Sequence, residues 1–222
     1  MHRPTKASVF FILICISNSN ILILHLNKTH SQKQNKMQNE INRALEILQQ
    51  GKILLYPTDT VWGLGCDATN ADAVKRIYEI KKRPDSKSMI ILVSNFLMLQ
   101  QYVTEVPFKA VELMEETAAP LTVIYPKARN LASNLIPNDG SIGIRIPNDE
   151  FCRELISAFG KPIVSTSANI SGMKSSSLWE QVNDYIKESV DYATTWRRDD
   201  TKIAKPSTIV KVHPDGTITK LR

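Results

Sequence analysis

Apolar and polar positions along the chain fall into two rhythms. Ile41, Ala44, Leu45 and Leu48 recur every three or four residues, which predicts a helix over 38–50 ended by Gly51. The same spacing of Ala73, Ile77 and Ile80 in "NADAVKRIYEIKKR" predicts a second helix, with Asn70 as its cap. Further helices are expected over 107–118, stopped by Pro120, in "DEFCRELISAF" before Gly160, and in "SLWEQVNDYIKE". Between them lie short apolar runs, "KILLYP", "SMIILV", "LTVIYP", "SIGIRIP" and "KPIVSTSA", which read as buried strands. "STIVKVHPDGTITKLR" reads as a hairpin turning at Pro-Asp-Gly. Strands alternating with helices and closed by a hairpin predict one α/β domain over 37–222 with a mixed sheet and flanking helices.

Residues 1–36 differ from the rest. They run from a basic start through an apolar stretch, Val9–Ile16, into a polar tract interrupted by Ser17–Asn20. This has the outline of a signal peptide without an A-x-A cleavage site, and it is too short to span a bilayer. The expectation is a disordered or spurious leader, with Met37 opening the folded body.

Charge changes meaning once the leader is set aside. The whole chain carries +6, but Arg3, Lys6, Lys28, Lys33 and Lys36 belong to the leader, which has no acidic residue. Removing those five from 28 basic groups leaves 23 against 22 acidic ones, about +1 for the body. An anion site in the body must therefore be a local cluster rather than a general field. His213 is the one histidine of the body, so a His-dependent metal site or a Ser-His-Asp triad is disfavoured there. Cys15, Cys66 and Cys152 form no CxxC spacing, which argues for a reducing compartment.

Three segments carry candidate chemistry. "KKRPDSKS" gathers Lys81, Lys82, Arg83 and Lys87 at a helix end. Such cations either complement the helix dipole or form a phosphate or carboxylate clamp, Arg as a rigid fork and Lys as a mobile charge. "VSTSANISG" follows a strand with hydroxyls, Asn169 and a closing glycine, either a Ser-rich turn or a backbone cradle for an anion. In "SIGIRIP", alternation places Arg145 on the face opposite Ile142, Ile144 and Ile146, toward solvent or onto the wall of a cleft. No GxxxxGK[ST] loop and no GxGxxG occurs.

Taken in order, "YPTDTVWGLGCDA", "IYEIKKRPDSKSMIILV", "APLTVIYPK", "GIRIP", "PIVSTSANISG" and "KPSTIV" resemble the YrdC family of threonylcarbamoyl-adenylate synthases, from about residue 40 to 212. The resemblance implies a single-domain twisted mixed sheet around a large concave cleft. It implies synthesis of threonylcarbamoyl-AMP and pyrophosphate from L-threonine, bicarbonate or CO2, and ATP with Mg2+. The product would feed threonylcarbamoylation of the adenosine beside the anticodon of tRNA, through downstream threonylcarbamoyl-transferase proteins. By position, Lys81 and Arg83 would be catalytic. Arg83, Lys87, Thr122, Ser167, Asn169 and Ser207 would bind ATP, and Thr60, Arg145 and Ser165 would bind threonine. No protein metal ligand is implied. Lys87 stands where many relatives carry Asn, and Leu92 where longer relatives carry a His near threonine. The chain resembles the short form of the family, and a cytoplasmic enzyme away from membranes is expected. The same resemblance leaves a second reading, a module binding tRNA or double-stranded RNA without adenylate synthesis; a body near +1 gives it little non-specific affinity. Hydrogenase-maturation relatives carry Cys motifs that this chain lacks.

Overall fold

The computed structural model describes residues 31–84, 88–213 and 215–222. Contacts divide the chain into residues 1–39 and 40–222, and the whole sheet belongs to the second unit. Residues 31–49 are helical (α1), so the helix is already in place at Ser31, ahead of the boundary expected at Met37. Gly51, at φ +68, ends it as read from the sequence.

The strands are β1 (Leu54–Tyr56), β2 (Gly63–Gly65), β3 (Ile90–Leu92), β4 (Leu121–Tyr125), β5 (Ile142–Arg145), β6 (Ile163–Ser167), β7 (Tyr192–Ala193), β8 (Thr208–Val212) and β9 (Ile218–Lys220). They form one mixed sheet in the order β7-β1-β2-β6-β3-β5-β4-β8-β9. The helices after α1 are α2 (Ala71–Ile80), α3 (Phe96–Leu99), α4 (Phe108–Glu116), α5 (Glu150–Phe159) and α6 (Asp184–Ser189). Asn70 caps α2 by accepting from the amides of Asp72 and Ala73, and Asp149 caps α5 by accepting from Cys152 N. Gly160 ends α5 in the left-handed region.

Besides the earlier start of α1 and the short helix α3, which the sequence reading did not anticipate, three parts differ from the expectation. The helix expected over "SLWEQVNDYIKE" is split into a 3-10 turn, Trp179–Gln181, and α6. Val182 is buried in extended conformation between them, and the Asn183 side chain accepts from Tyr185 N to start a fresh helix. The second difference is β2, which lies in the stretch with the glycine-rich sequence Gly63-Leu64-Gly65. Its neighbours force these residues into the sheet, antiparallel to both β1 and β6. A Cβ at Gly65 would lie 2.6 Å from Tyr56 Cε1 and 2.9 Å from Ile163 Cγ2, so glycine is needed there for close packing. The third is β7, a two-residue edge strand parallel to β1 that carries no sequence signal.

The two sheet faces diverge in chemistry. Leu55, Leu64, Ile91, Val123, Ile144, Val164 and Val210 are buried in one apolar cluster with Val74 and Ile77 of α2. The register puts a different row on the other face. Gly63 pairs with Ser167, Ile90 with both Ser165 and Gly143, Gly143 with Ile124, and Thr122 with Ile209. Residues two apart share a face, so Ser165, Ser167, Gly143, Arg145 and Thr122 belong to this row. Arg145 thus lies opposite Ile142 and Ile144, as alternation predicts. The row mixes hydroxyls, glycines and Arg145 with Ile90, Ile124 and Ile209, and it floors a cavity.

Candidate active site

A cavity of about 710 Å³, counted with its open mouth, lies over this row. Among its lining residues are Thr58, Thr60, Gly63, Arg83, Ser88, Arg145, Ser165, Thr166, Ser167, Ser175, Ser207 and Arg222. Hydroxyls and guanidinium groups dominate, and none of the described lining residues is acidic. Of the ten residues singled out from the sequence, Thr60, Arg83, Arg145, Ser165, Ser167 and Ser207 line it. Lys81, Thr122 and Asn169 are buried and do not line it; Lys81 and Thr122 bond the lining residues Ser167 and Ser207. Lys87 lies outside the described residues.

The Lys-x-Arg spacing has a backbone cause. At the end of α2, Arg83 N bonds Tyr78 O at 2.9 Å and Lys82 N bonds Glu79 O at 3.0 Å, while Lys82 sits at φ +47. This is a Schellman ending with lysine in the position that usually holds glycine. The left-handed residue reverses the chain, so alternate cations part ways. Lys82 turns outward over the Tyr185 ring, 5.1 Å from its centroid. Arg83 turns to the cavity and donates to Ser88 O at 2.8 Å. Lys81 turns inward and is 1 % exposed.

Lys81 is placed differently from the clamp role expected of it. Its Nζ donates to the carbonyls of Ser167 and of Asn169, the latter at 2.7 Å. Its own carbonyl accepts from Ser171 N at 2.8 Å. It therefore pins the loop that leaves β6. Burial, and then the charge of Arg83, lower the Lys81 amine to about 7. Asn169 is occupied in the same loop: its Nδ2 donates to Ile170 O and Met173 O, and its Oδ1 is buried without a partner.

The hydroxyl-rich loop after β1 has a definite proton order. Thr58 Oγ1 donates to Val61 O at 2.8 Å, so in the 2.9 Å contact between the two threonine hydroxyls Thr60 is the donor. Arg145 Nη1 then donates to Thr60 Oγ1 at 3.2 Å. Thr60 is left with acceptor capacity only, which suits an N–H or O–H of a ligand. Arg145 is 3 % exposed and forms an ion pair with Asp59 at 2.5 Å, while its Nε is buried without a partner.

At the far wall Thr122 Oγ1 and Ser207 Oγ lie 2.8 Å apart, and Arg222 donates through Nε to Ser207 O at 3.0 Å. Burial, then the charge of Arg145, lower the Arg222 guanidinium from its ordinary value. Sequence reasoning missed both Arg222 and Asp59. Arg222 enters the site through tertiary pairing: it exchanges backbone hydrogen bonds with Ile209, a lining residue. Asp59 stood inside the quoted "YPTDTVWGLG" stretch, and its partner is 86 residues away.

The family model Sua5/YciO/YrdC, described as telomere recombination, matches residues 46–222. The chain belongs to this family. A threonylcarbamoyl-AMP synthase from Pseudoalteromonas translucida is 36% identical over 162 residues, 68% of this chain and 87% of that protein. One from Vibrio vulnificus is 31% identical over 157 residues, 69% of this chain and 84% of that protein. Among solved structures, P. abyssi Sua5 complexed with L-threonine superposes with a TM-score of 0.72 at 28% identity, covering 82% of this chain and 53% of Sua5. E. coli YciO superposes at 0.73 and 28% identity, covering 83% and 89%. The chain thus spans little more than half of Sua5 and most of YciO. The Sua5/YciO/YrdC match includes β1 to β9 and every cavity-lining residue named above.

Proposed function

We propose that this chain is an L-threonylcarbamoyladenylate synthase, joining L-threonine, bicarbonate or CO2, and ATP into threonylcarbamoyl-AMP with release of pyrophosphate. The observation that carries the reading is the cavity itself. Acceptor-only Thr60 and the ion-paired Arg145 share it with Arg83 and Arg222, and the Ser165–Ser167 strand end lies in its floor. Relatives with the threonylcarbamoyl-AMP synthase name and a neighbour complexed with L-threonine support it.

In this reading the threonine carboxylate takes the part of the Arg145 guanidinium that lines the cavity, and its amine or hydroxyl donates to Thr60. The amine must lose a proton before it attacks the carbon donor. Surrounding guanidinium groups, with no acid among the described lining residues, favour the neutral amine. Attack on bicarbonate expels water, and attack on CO2 releases a further amine proton; the resulting carbamate oxygen attacks the α-phosphorus, the bond to the β-phosphate oxygen breaks, and pyrophosphate leaves. Arg83 and Arg222 neutralise charge on the triphosphate and on the leaving group. The hydroxyls of Ser165, Ser167 and Ser207 orient the two substrates, Thr122 holds Ser207, and Lys81 holds the Ser167–Asn169 loop. No covalent enzyme intermediate is required; positioning and preorganised charge do the catalysis. Mg2+ would arrive with ATP, held by phosphate oxygens and water, since the described lining offers hydroxyls rather than carboxylates. The product would serve tRNA modification in the cytoplasm. Among the described residues no helix is long and apolar enough to cross a membrane.

The test is a coupled pyrophosphate assay with ATP and bicarbonate, supplying threonine, serine or no amino acid. Threonine-dependent release is expected. Release indifferent to the amino acid, or none, would remove the assignment.

A further inference from the structure

We infer that Asp59 is the positioning residue for Arg145, and that it sets the affinity for threonine without touching the substrate; the inference rests on the proposed function. Asp59 bridges two parts of the chain that are remote in sequence. Its Oδ1 accepts from Arg145 Nη1 at 2.5 Å, and its Oδ2 accepts from Asn148 N at 3.0 Å. The first bond aims the side chain that leaves the end of β5. The second ties the turn after β5 to the Thr58–Thr60 loop. Both partners of the ion pair are nearly withdrawn from solvent, at 3 % for Arg145 and 8 % for Asp59.

Arginine has several rotatable bonds, and an unanchored guanidinium would sample many orientations in a cavity of this size. Here Nη1 is engaged by both Asp59 and Thr60, which fixes the plane of the group. The edge that carries Nε is left buried and unengaged. Arg145 lines the cavity, so a guanidinium held in one plane offers a carboxylate N–H donors in a fixed direction. Asp59 also balances the Arg145 charge in a cavity that already holds Arg83 and Arg222. A carboxylate is required because it accepts at both oxygens. An amide accepts at one only, so an asparagine must give up either Arg145 or Asn148.

The experiment compares full-length wild type with Asp59→Asn and Asp59→Glu. It measures KM for threonine and for ATP by pyrophosphate release, with thermal melting as the control for folding. For Asp59→Asn the threonine KM is expected to rise at least about tenfold, with the ATP KM within about threefold of wild type. Asp59→Glu keeps the charge and should recover most of the threonine affinity. An unchanged threonine KM in Asp59→Asn would overturn the inference. So would equal weakening toward both substrates, a Glu variant as weak as the Asn variant, or loss of fold in Asp59→Asn, which would make Asp59 a stability residue. A wild type that releases no pyrophosphate with threonine removes the functional reading first and this inference with it. A working wild type with an indifferent Asp59→Asn removes the inference alone.

Discussion

Replacing Lys81 with methionine separates a pinning role from a phosphate-clamp role and carries a definite pH signature. Methionine matches the length and girth of the lysine stem but can neither donate nor carry charge. The Ser167 and Asn169 carbonyls would each lose a donor that now reaches them from a side chain 1 % exposed. Charge-assisted bonds of this kind contribute roughly 1.5–3 kcal/mol each. Opposing them is the cost of burying an ammonium. The folded-state amine is lowered from 10.5 to about 7, by burial first and the Arg83 charge second. Because the folded pKa is below the unfolded one, the unfolded chain binds more protons between those two values. Wild-type stability should therefore rise with pH across that window. At about 1.4 kcal/mol per pH unit, the full rise is about 5 kcal/mol. Below pH 7 the penalty is fully present and this slope vanishes. Lys81→Met has no such group, so the stability difference between wild type and variant should grow in favour of wild type from pH 7 upward. Urea denaturation of both proteins at several pH values measures it directly. A difference that stays flat over this range would refute the argument, because it would mean that Lys81 keeps its proton and is not desolvated as its position requires. Turnover gives the second readout. If Lys81 acts by holding the strand-end loop, both substrate KM values should rise in the variant.

Three further outcomes follow from the geometry. Arg83→Ala should lower pyrophosphate release by roughly 10²–10³ with the melting transition retained, since Arg83 lines the cavity; wild-type-like turnover would remove it from the site. Gly65→Ala should destabilise the fold by about 1–3 kcal/mol in chemical denaturation, because the added methyl meets Tyr56 and Ile163 inside van der Waals distance. Thr122→Val should cost about 0.5–1.5 kcal/mol of stability and raise the KM for ATP, since it removes the 2.8 Å hydroxyl contact and leaves Ser207 Oγ with the 3.4 Å bond from Arg222 Nη2; unchanged stability and KM would refute that contribution.

The sequence alone determined whatever depends on near neighbours. The three-and-four spacing of α1, α2 and α5, the Asn70 cap and the Gly51 and Gly160 stops are local facts and emerged as periodicity placed them, except that α1 begins earlier, at Ser31. Two-residue alternation was enough to put Arg145 across from Ile142 and Ile144. The quoted motifs named six residues that line the cavity. Tertiary structure decided what depends on distant partners. β2 is a strand because β1 and β6 flank it, against the preference of two glycines. The direction of Lys81 was settled by a left-handed Lys82, and its task by carbonyls more than eighty residues away. Arg222 reaches the cavity because β9 folds back along β8. Asp59 gains its meaning from a residue 86 positions on. Dihedral preferences and side-chain periodicity act over a few residues and are written in the local sequence. Burial, ion pairing and desolvation act through space, and they come into existence only when the sheet brings its strands together.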